Sequence, residues 1–111
     1  MVHYFNLNPA PFESIKNGKK DVEMRLYDDK RKLIKVGDQI TFTNTSTAET
    51  LDCTVLAVKI FKSFEELYAN YEKQRLGYLD NEIANPEDMK QYYPLTEMQA
   101  NGVCAIEIKR L

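Results

Sequence analysis

The chain has 111 residues, enough for one compact domain and too few for two ordinary ones. Its 43% hydrophobic and 29% charged content allows a modest core under a well-solvated surface. With 15 Lys and Arg against 17 Asp and Glu, the net charge of −2 excludes a strongly basic coat for nucleic acid, though not a local basic patch.

Residues His3 to Asn8 alternate, with His3, Phe5 and Leu7 on one side and Tyr4, Asn6 and Asn8 on the other, which predicts a strand. Pro9 and Pro11 then open a short helix, where a missing N–H costs nothing, and Phe12 and Ile15 give it an apolar face. Gly18 serves as its C-terminal turn, with Lys16 near the helix end, where a cation is favoured. From Asp21 to Tyr27 the alternation is clean: Val22, Met24 and Leu26 point one way, and Asp21, Glu23, Arg25 and Tyr27 the other. This predicts a strand with one polar face.

A charged stretch and the turn Gly37–Asp38 lead into a strand over Gln39 to Thr43, with Ile40 and Phe42 inward. The polar run NTSTAET reads as a hairpin connection, and Leu51 to Phe61 as a long strand that becomes apolar on both faces near its end. Ser63 with Glu66 is a capping-box pattern, followed by Phe64, Leu67, Tyr68 and Tyr71 at helical spacing. Asn85, Pro86 and Asp88 start another helix carrying Met89, Tyr92 and Tyr93, which Pro94 ends. Asn101–Gly102 turns the chain into a last strand over Val103 to Ile108. The expected fold is α+β: one domain over residues 1 to 111, a small mixed β-barrel of about five or six strands with short flanking helices, since closure protects edges that a flat sheet leaves open.

No apolar run approaches the roughly 20 residues needed to span a bilayer, and the start of the chain lacks a basic leader, so a cytoplasmic location is expected. Cys53 and Cys104, inside apolar strand runs, read as buried structural thiols. A single histidine, His3, argues against structural zinc; no metal and no cofactor is expected.

The charge is unevenly spread. Residues 16 to 35 hold eight basic and four acidic groups, a net +4, whereas residues 41 to 111 hold seven basic and eleven acidic, a net −4. Within the basic stretch, Glu23 and Arg25 stand two apart on a strand and so point the same way, with Lys20 in the turn before them. Such a trio can bind a phosphate or a polar base edge. It can also do acid–base work if burial tunes the lysine and the carboxylate orients it, and the same spacing also suits a surface ion-pair cluster. Of the tyrosines, Tyr68 and Tyr71 read as packing. Tyr92 and Tyr93 are adjacent, so one is exposed. Tyr4 and Tyr27 are candidates for stacking on a base, worth about 1–3 kcal/mol.

The stretch GKKDVEMR at residues 18 to 25 fits G-x-K-x-x-E-x-R and resembles the ASCH domain family, relatives of the PUA domain. The segments PFESIKNG (11 to 18), LYDDKRKLIKVGD (26 to 38) and CAIEIK (104 to 109) extend the resemblance over nearly the whole chain. It implies a PUA-like β-barrel with a cleft beside the motif and a role in RNA binding or processing. Gly18 would be the turn glycine, and Lys20, Glu23 and Arg25 would line the cleft; Lys19, Tyr27 and Tyr4 are added as neighbours. Some small bacterial members of this fold hydrolyse the amide of N4-acetylcytidine with lysine, threonine and glutamate. Lys20 matches their lysine, but Glu23 stands where they carry threonine.

Three functions follow as expectations. The first is binding of RNA or a modified nucleoside in a basic cleft around Lys19, Lys20, Glu23 and Arg25. The second is a small hydrolase, an N4-acetylcytidine-type amidohydrolase or a ribonuclease, with Lys20 and Glu23 as its catalytic residues. The third is a protein-interaction module using the tyrosine-containing segment 63 to 93.

Overall fold

In the computed structural model, which describes residues 1–111, the alternating start of the chain forms β1 (Val2–Leu7), with His3, Phe5 and Leu7 inward. Its two prolines sit in α1 (Pro9–Lys16), which buries Phe12 and Ile15. Then come β2 (Val22–Leu26), β3 (Gln39–Asn44), β4 (Thr50–Phe61), α2 (Phe64–Tyr68), α3 (Leu95–Asn101) and β5 (Val103–Arg110), with 3₁₀ turns at Arg31–Leu33 and Pro86–Gln91. No helix is long and apolar enough to cross a membrane, and no group of three or more His, Cys, Asp or Glu is placed to hold a metal ion.

The strands form one mixed sheet in the order β1-β3-β4-β5-β2, with β1 parallel to β3 and every other neighbouring pair antiparallel. A register shift in β4 leaves Leu56 unpaired between Val55, opposite Ile108, and Ala57, opposite Glu107. An extra residue of this kind bends its strand. The bend lets β4 pair with β3 near its start and with β5 from Cys53 onward. The sheet curls into a half-barrel, and its edge strands β1 and β2 face one another across an open seam.

Two apolar clusters cover the sheet. The one inside the curl includes Phe5, Phe12, Ile40, Phe42, Val55 and Ile106. There Phe42 is fully buried, edge-on to Phe5 at 5.9 Å; burying such a side chain is worth about 1.5–3 kcal/mol. The other lies on the outer side of β2 and β5, where segment 64 to 98 lays Phe64, Leu67, Leu76, Met89 and Met98 over Val22, Met24 and Val103. Cys53 and Cys104 are buried, and burial pushes their thiols up to about 11 and about 12.

The polar face of β2 turns inward: Glu23 pairs with Ile106 and Arg25 with Cys104, so both side chains point into the curl. Three expectations change. The far end of β4 is not covered on both faces; Leu56 and Ile60 are half exposed because the helical segment lies over β2 and β5 instead. Tyr71 lies beyond α2, which ends at Tyr68. Pro94 starts a helix as well as ending a turn: in extended conformation it is the N-cap of α3, and Gly102 closes that helix.

Candidate functional site

The motif turn is tied back onto α1. Gly18 takes φ +83°, and the N–H groups of Lys19 and Lys20 both donate to the Ser14 carbonyl at 3.0 Å. This fold-back turns the Lys20 side chain inward, leaving the residue 8% exposed. The Asp21 and Val22 N–H groups donate to the Arg75 carbonyl, while the Arg75 guanidinium pairs with Asp21 at 2.8 Å and approaches Glu107 at 3.7 Å. Segment 72 to 78 is thereby held over Lys20. Gly77, at φ +107°, gives the lysine stem room: a Cβ there would stand 3.1 Å from Lys20 Cδ.

Alternation along β2 then aligns the charges. Lys20 Nζ lies 3.3 Å from Glu23 Oε1, and Arg25 donates to Glu23 Oε2 through Nε at 2.9 Å, with a second guanidinium nitrogen at 2.8 Å. Arg25 also reaches across the seam to the Asn6 carbonyl at 3.2 Å and lies 4.5 Å over the Phe5 ring. Burial opposes the Glu23 charge, but the Lys20 and Arg25 cations more than offset it and hold the carboxyl below its ordinary value. Burial likewise opposes the Arg25 charge, and Glu23 with the Tyr93 phenol overcomes it, raising the guanidinium pKa. Desolvating each ion costs several kcal/mol, so a buried trio contributes little net stability. Its place in a cleft, with shifted ionisation, makes it the candidate functional site.

The cleft has a volume of about 480 Å³, and Lys20, Glu23 and Arg25 line it; small-molecule sites span about 300–1,000 Å³. Tyr68, Tyr78, Tyr92 and Tyr93 contribute aromatic surface, and Glu82 and Asp88 add two carboxylates. Tyr93 stacks on Phe64 at 6.2 Å, while Tyr92 is exposed. The lining therefore sets two cations among three carboxylates, and its positive charge is concentrated beside Glu23 rather than spread as a basic coat.

Three candidates lie elsewhere. Tyr4 points outward from β1, 67% exposed, because the inward parity belongs to His3 and Phe5. Tyr27 follows the end of β2 and packs on the inner cluster, with Lys32 Nζ 5.7 Å over its ring. Lys19 is exposed beside a smaller depression that shares Ser14, Gly77 and Tyr78 with the cleft. Sequence reasoning missed Gly77, Tyr78, Glu82 and Asp88. Residues 72 to 84 carry no helical or strand period, and Asp88 reads as an acid in the first turn of a helix, which explains it without a cleft.

The sequence matches the ASCH domain over residues 5–110. Among solved structures, hypothetical protein PH0355 is 30% identical, with 100% of both chains covered and a TM-score of 0.84. Protein PF0455 from Pyrococcus furiosus is 31% identical over 100% of this chain and 98% of that one, with a TM-score of 0.75. ASCH from Zymomonas mobilis shares the fold at 18% identity, with a TM-score of 0.69 over 97% of this chain and 66% of that one. No curated protein matches the chain.

Proposed function

The chain belongs to the ASCH domain family, a PUA-like fold family proposed for RNA binding, and we propose that its cleft binds a nucleotide of RNA or a modified nucleoside. The observation that carries this reading is the convergence of buried Lys20 and Glu23 and half-buried Arg25 with four tyrosines on one cavity of about 480 Å³. The ammonium and guanidinium offer donors to base or phosphate oxygens, and the tyrosine faces offer stacking. Titrating the protein with a panel of nucleosides, N4-acetylcytidine among them, and with short single-stranded RNAs tests it. Lys20→Met keeps the aliphatic stem and leaves Glu23 paired with Arg25, so the fold survives while affinity falls at least about tenfold, the equivalent of about 1.4 kcal/mol. Absence of binding across the panel removes the proposal.

Hydrolysis of an acylated nucleoside or of RNA is a second reading, supported by the 3.3 Å pairing of Lys20 with Glu23 inside the cleft. Lys20 would activate the nucleophile, Glu23 would orient it or carry the proton, and Arg25 would bind the developing anion. Product detection in the same titrations separates turnover from binding: a product that disappears with Lys20→Met supports hydrolysis. For a protein-interaction role, Tyr68, Tyr71, Tyr78 and Tyr93 pack against the outer cluster, and Tyr92 is the exposed tyrosine of segment 63 to 93.

A further inference from the structure

Opposite the motif, segment 64 to 93 carries a hydrogen-bond chain that the G-x-K-x-x-E-x-R residues do not explain. The Tyr68 and Tyr78 hydroxyls are 2.9 Å apart, and the Tyr78 hydroxyl lies 2.7 Å from Asp88 Oδ2. Each phenol has one proton. A carboxylate can only accept, so the Tyr78 proton goes to Asp88, and the Tyr78 oxygen in turn accepts from Tyr68. Burial holds both phenols in their protonated form, above the ordinary tyrosine value. With both protons committed, this chain of three residues offers acceptors: the Tyr68 oxygen and the second oxygen of Asp88. No cation pairs with Asp88, whereas Glu23 across the same cavity is neutralised by Lys20 and Arg25.

The motif wall has the opposite polarity. The Lys20 ammonium carries three protons and uses one on Glu23, leaving two to donate into the cleft. Arg25 has spent Nε and one terminal nitrogen on Glu23 and Asn6. Both walls line the same cavity. A ligand that satisfies them presents acceptors on one edge and a donor on the other. A carbonyl turned toward Asp88 would instead leave two acceptors facing each other, whereas an amino group there donates to the carboxylate.

We infer that Asp88, held in place by Tyr78 and Tyr68, is the specificity-determining residue of the cleft, and that the ligand is a nucleobase with an exocyclic amino group. The amino group donates to Asp88, and the ring acceptors meet Lys20. The inference rests on the nucleoside-binding reading above and narrows it.

Two nucleoside pairs that differ by amino against carbonyl at one ring position, cytidine with uridine and adenosine with inosine, serve as probes by calorimetric or NMR titration. The wild type should bind the amino member of at least one pair about tenfold or more tightly than its carbonyl partner. Asp88→Asn, at an exposed position where the fold has little to lose, should abolish or reverse that preference, because its amide can donate to a carbonyl. Tyr78→Phe should weaken the preference, and Lys20→Met should weaken both members alike. Equal affinity within both pairs, or a preference that survives Asp88→Asn, overturns the assignment of Asp88 while leaving nucleoside binding in place. Failure of all four nucleosides and of RNA to bind overturns both.

Discussion

Glu23 is one carboxylate shared by two cations, and each of its oxygens is committed, one to Lys20 and one to Arg25. Replacing it with glutamine preserves the shape but leaves an ammonium and a guanidinium buried beside one another without a counter-charge. Breaking a buried ion pair in this way costs about 3 kcal/mol or more, so Glu23→Gln should lower the urea midpoint by a corresponding amount; an unchanged midpoint would mean that the cleft hydrates the cations freely. The variant should also be less acid-sensitive. A carboxyl held below its ordinary value stabilises the fold fully above about pH 4.5 and loses that contribution as the pH falls toward the depressed value, and glutamine has no such titration. Spacing alone placed Lys20, Glu23 and Arg25 together, since two-residue alternation and a preceding turn leave them little choice. Their burial was not legible, because an alternating polar face looks the same whether it meets water or the inside of a curled sheet. Tyr4 shows the converse error: its alternation was read correctly, but parity on β1 sends it away from the seam.

At the scale of elements, the strands were legible and the cleft's second wall was not. Each strand announces itself by alternation or by a β-branched run, and the β4 bulge shifts partners without changing the pattern that precedes it. Segment 72 to 84 has no period to read. It is placed by long-range contacts instead: the Arg75 carbonyl accepting from the N–H groups of Asp21 and Val22, the Arg75 side chain on Asp21, and Leu76 in the outer cluster. Pro94 was misread for a related reason, because proline is as comfortable just before a helix as just after one. Within that segment Gly77 sits on the Lys20 stem in a left-handed conformation that L side chains rarely adopt. Gly77→Ala should therefore cost about 1–3 kcal/mol from backbone strain together with the 3.1 Å approach to Lys20 Cδ. The two contributions separate in a double-mutant cycle: in a Lys20→Ala background the crowding disappears and only the backbone cost remains, so Gly77→Ala should become less destabilising by about 0.5 kcal/mol or more. Strict additivity would show that the glycine serves the turn alone and does not position the lysine.

For the molecule as a whole, a net charge of −2 conceals a basic stretch of +4, and the fold disperses that stretch rather than gathering it. Lys16 pairs with Glu49 at 2.7 Å and Arg31 with Asp28 at 2.8 Å, while Lys32 approaches Asp29. Of the eight basic residues between 16 and 35, Lys20 and Arg25 alone line the cleft, where three carboxylates accompany them. Such a site recognises a base more readily than a run of phosphates, and salt dependence measures the difference. A ligand strand that neutralises its phosphates on these two cations alone releases counterions from at most two sites. Its log affinity should then fall with log salt at a slope no steeper than about −1.4, taking about 0.7 for each contact with a single strand. A nucleoside without phosphate should bind with a slope near zero. Titrating one short RNA and one nucleoside at several salt concentrations between about 50 and 200 mM, the range over which phosphate contacts are commonly resolved, gives both slopes. An RNA slope of about −3 or steeper would place the binding on lysines outside the cleft, with Lys19, Lys30 and Lys35 the first to replace, and would turn the domain from a reader of one base into a holder of backbone.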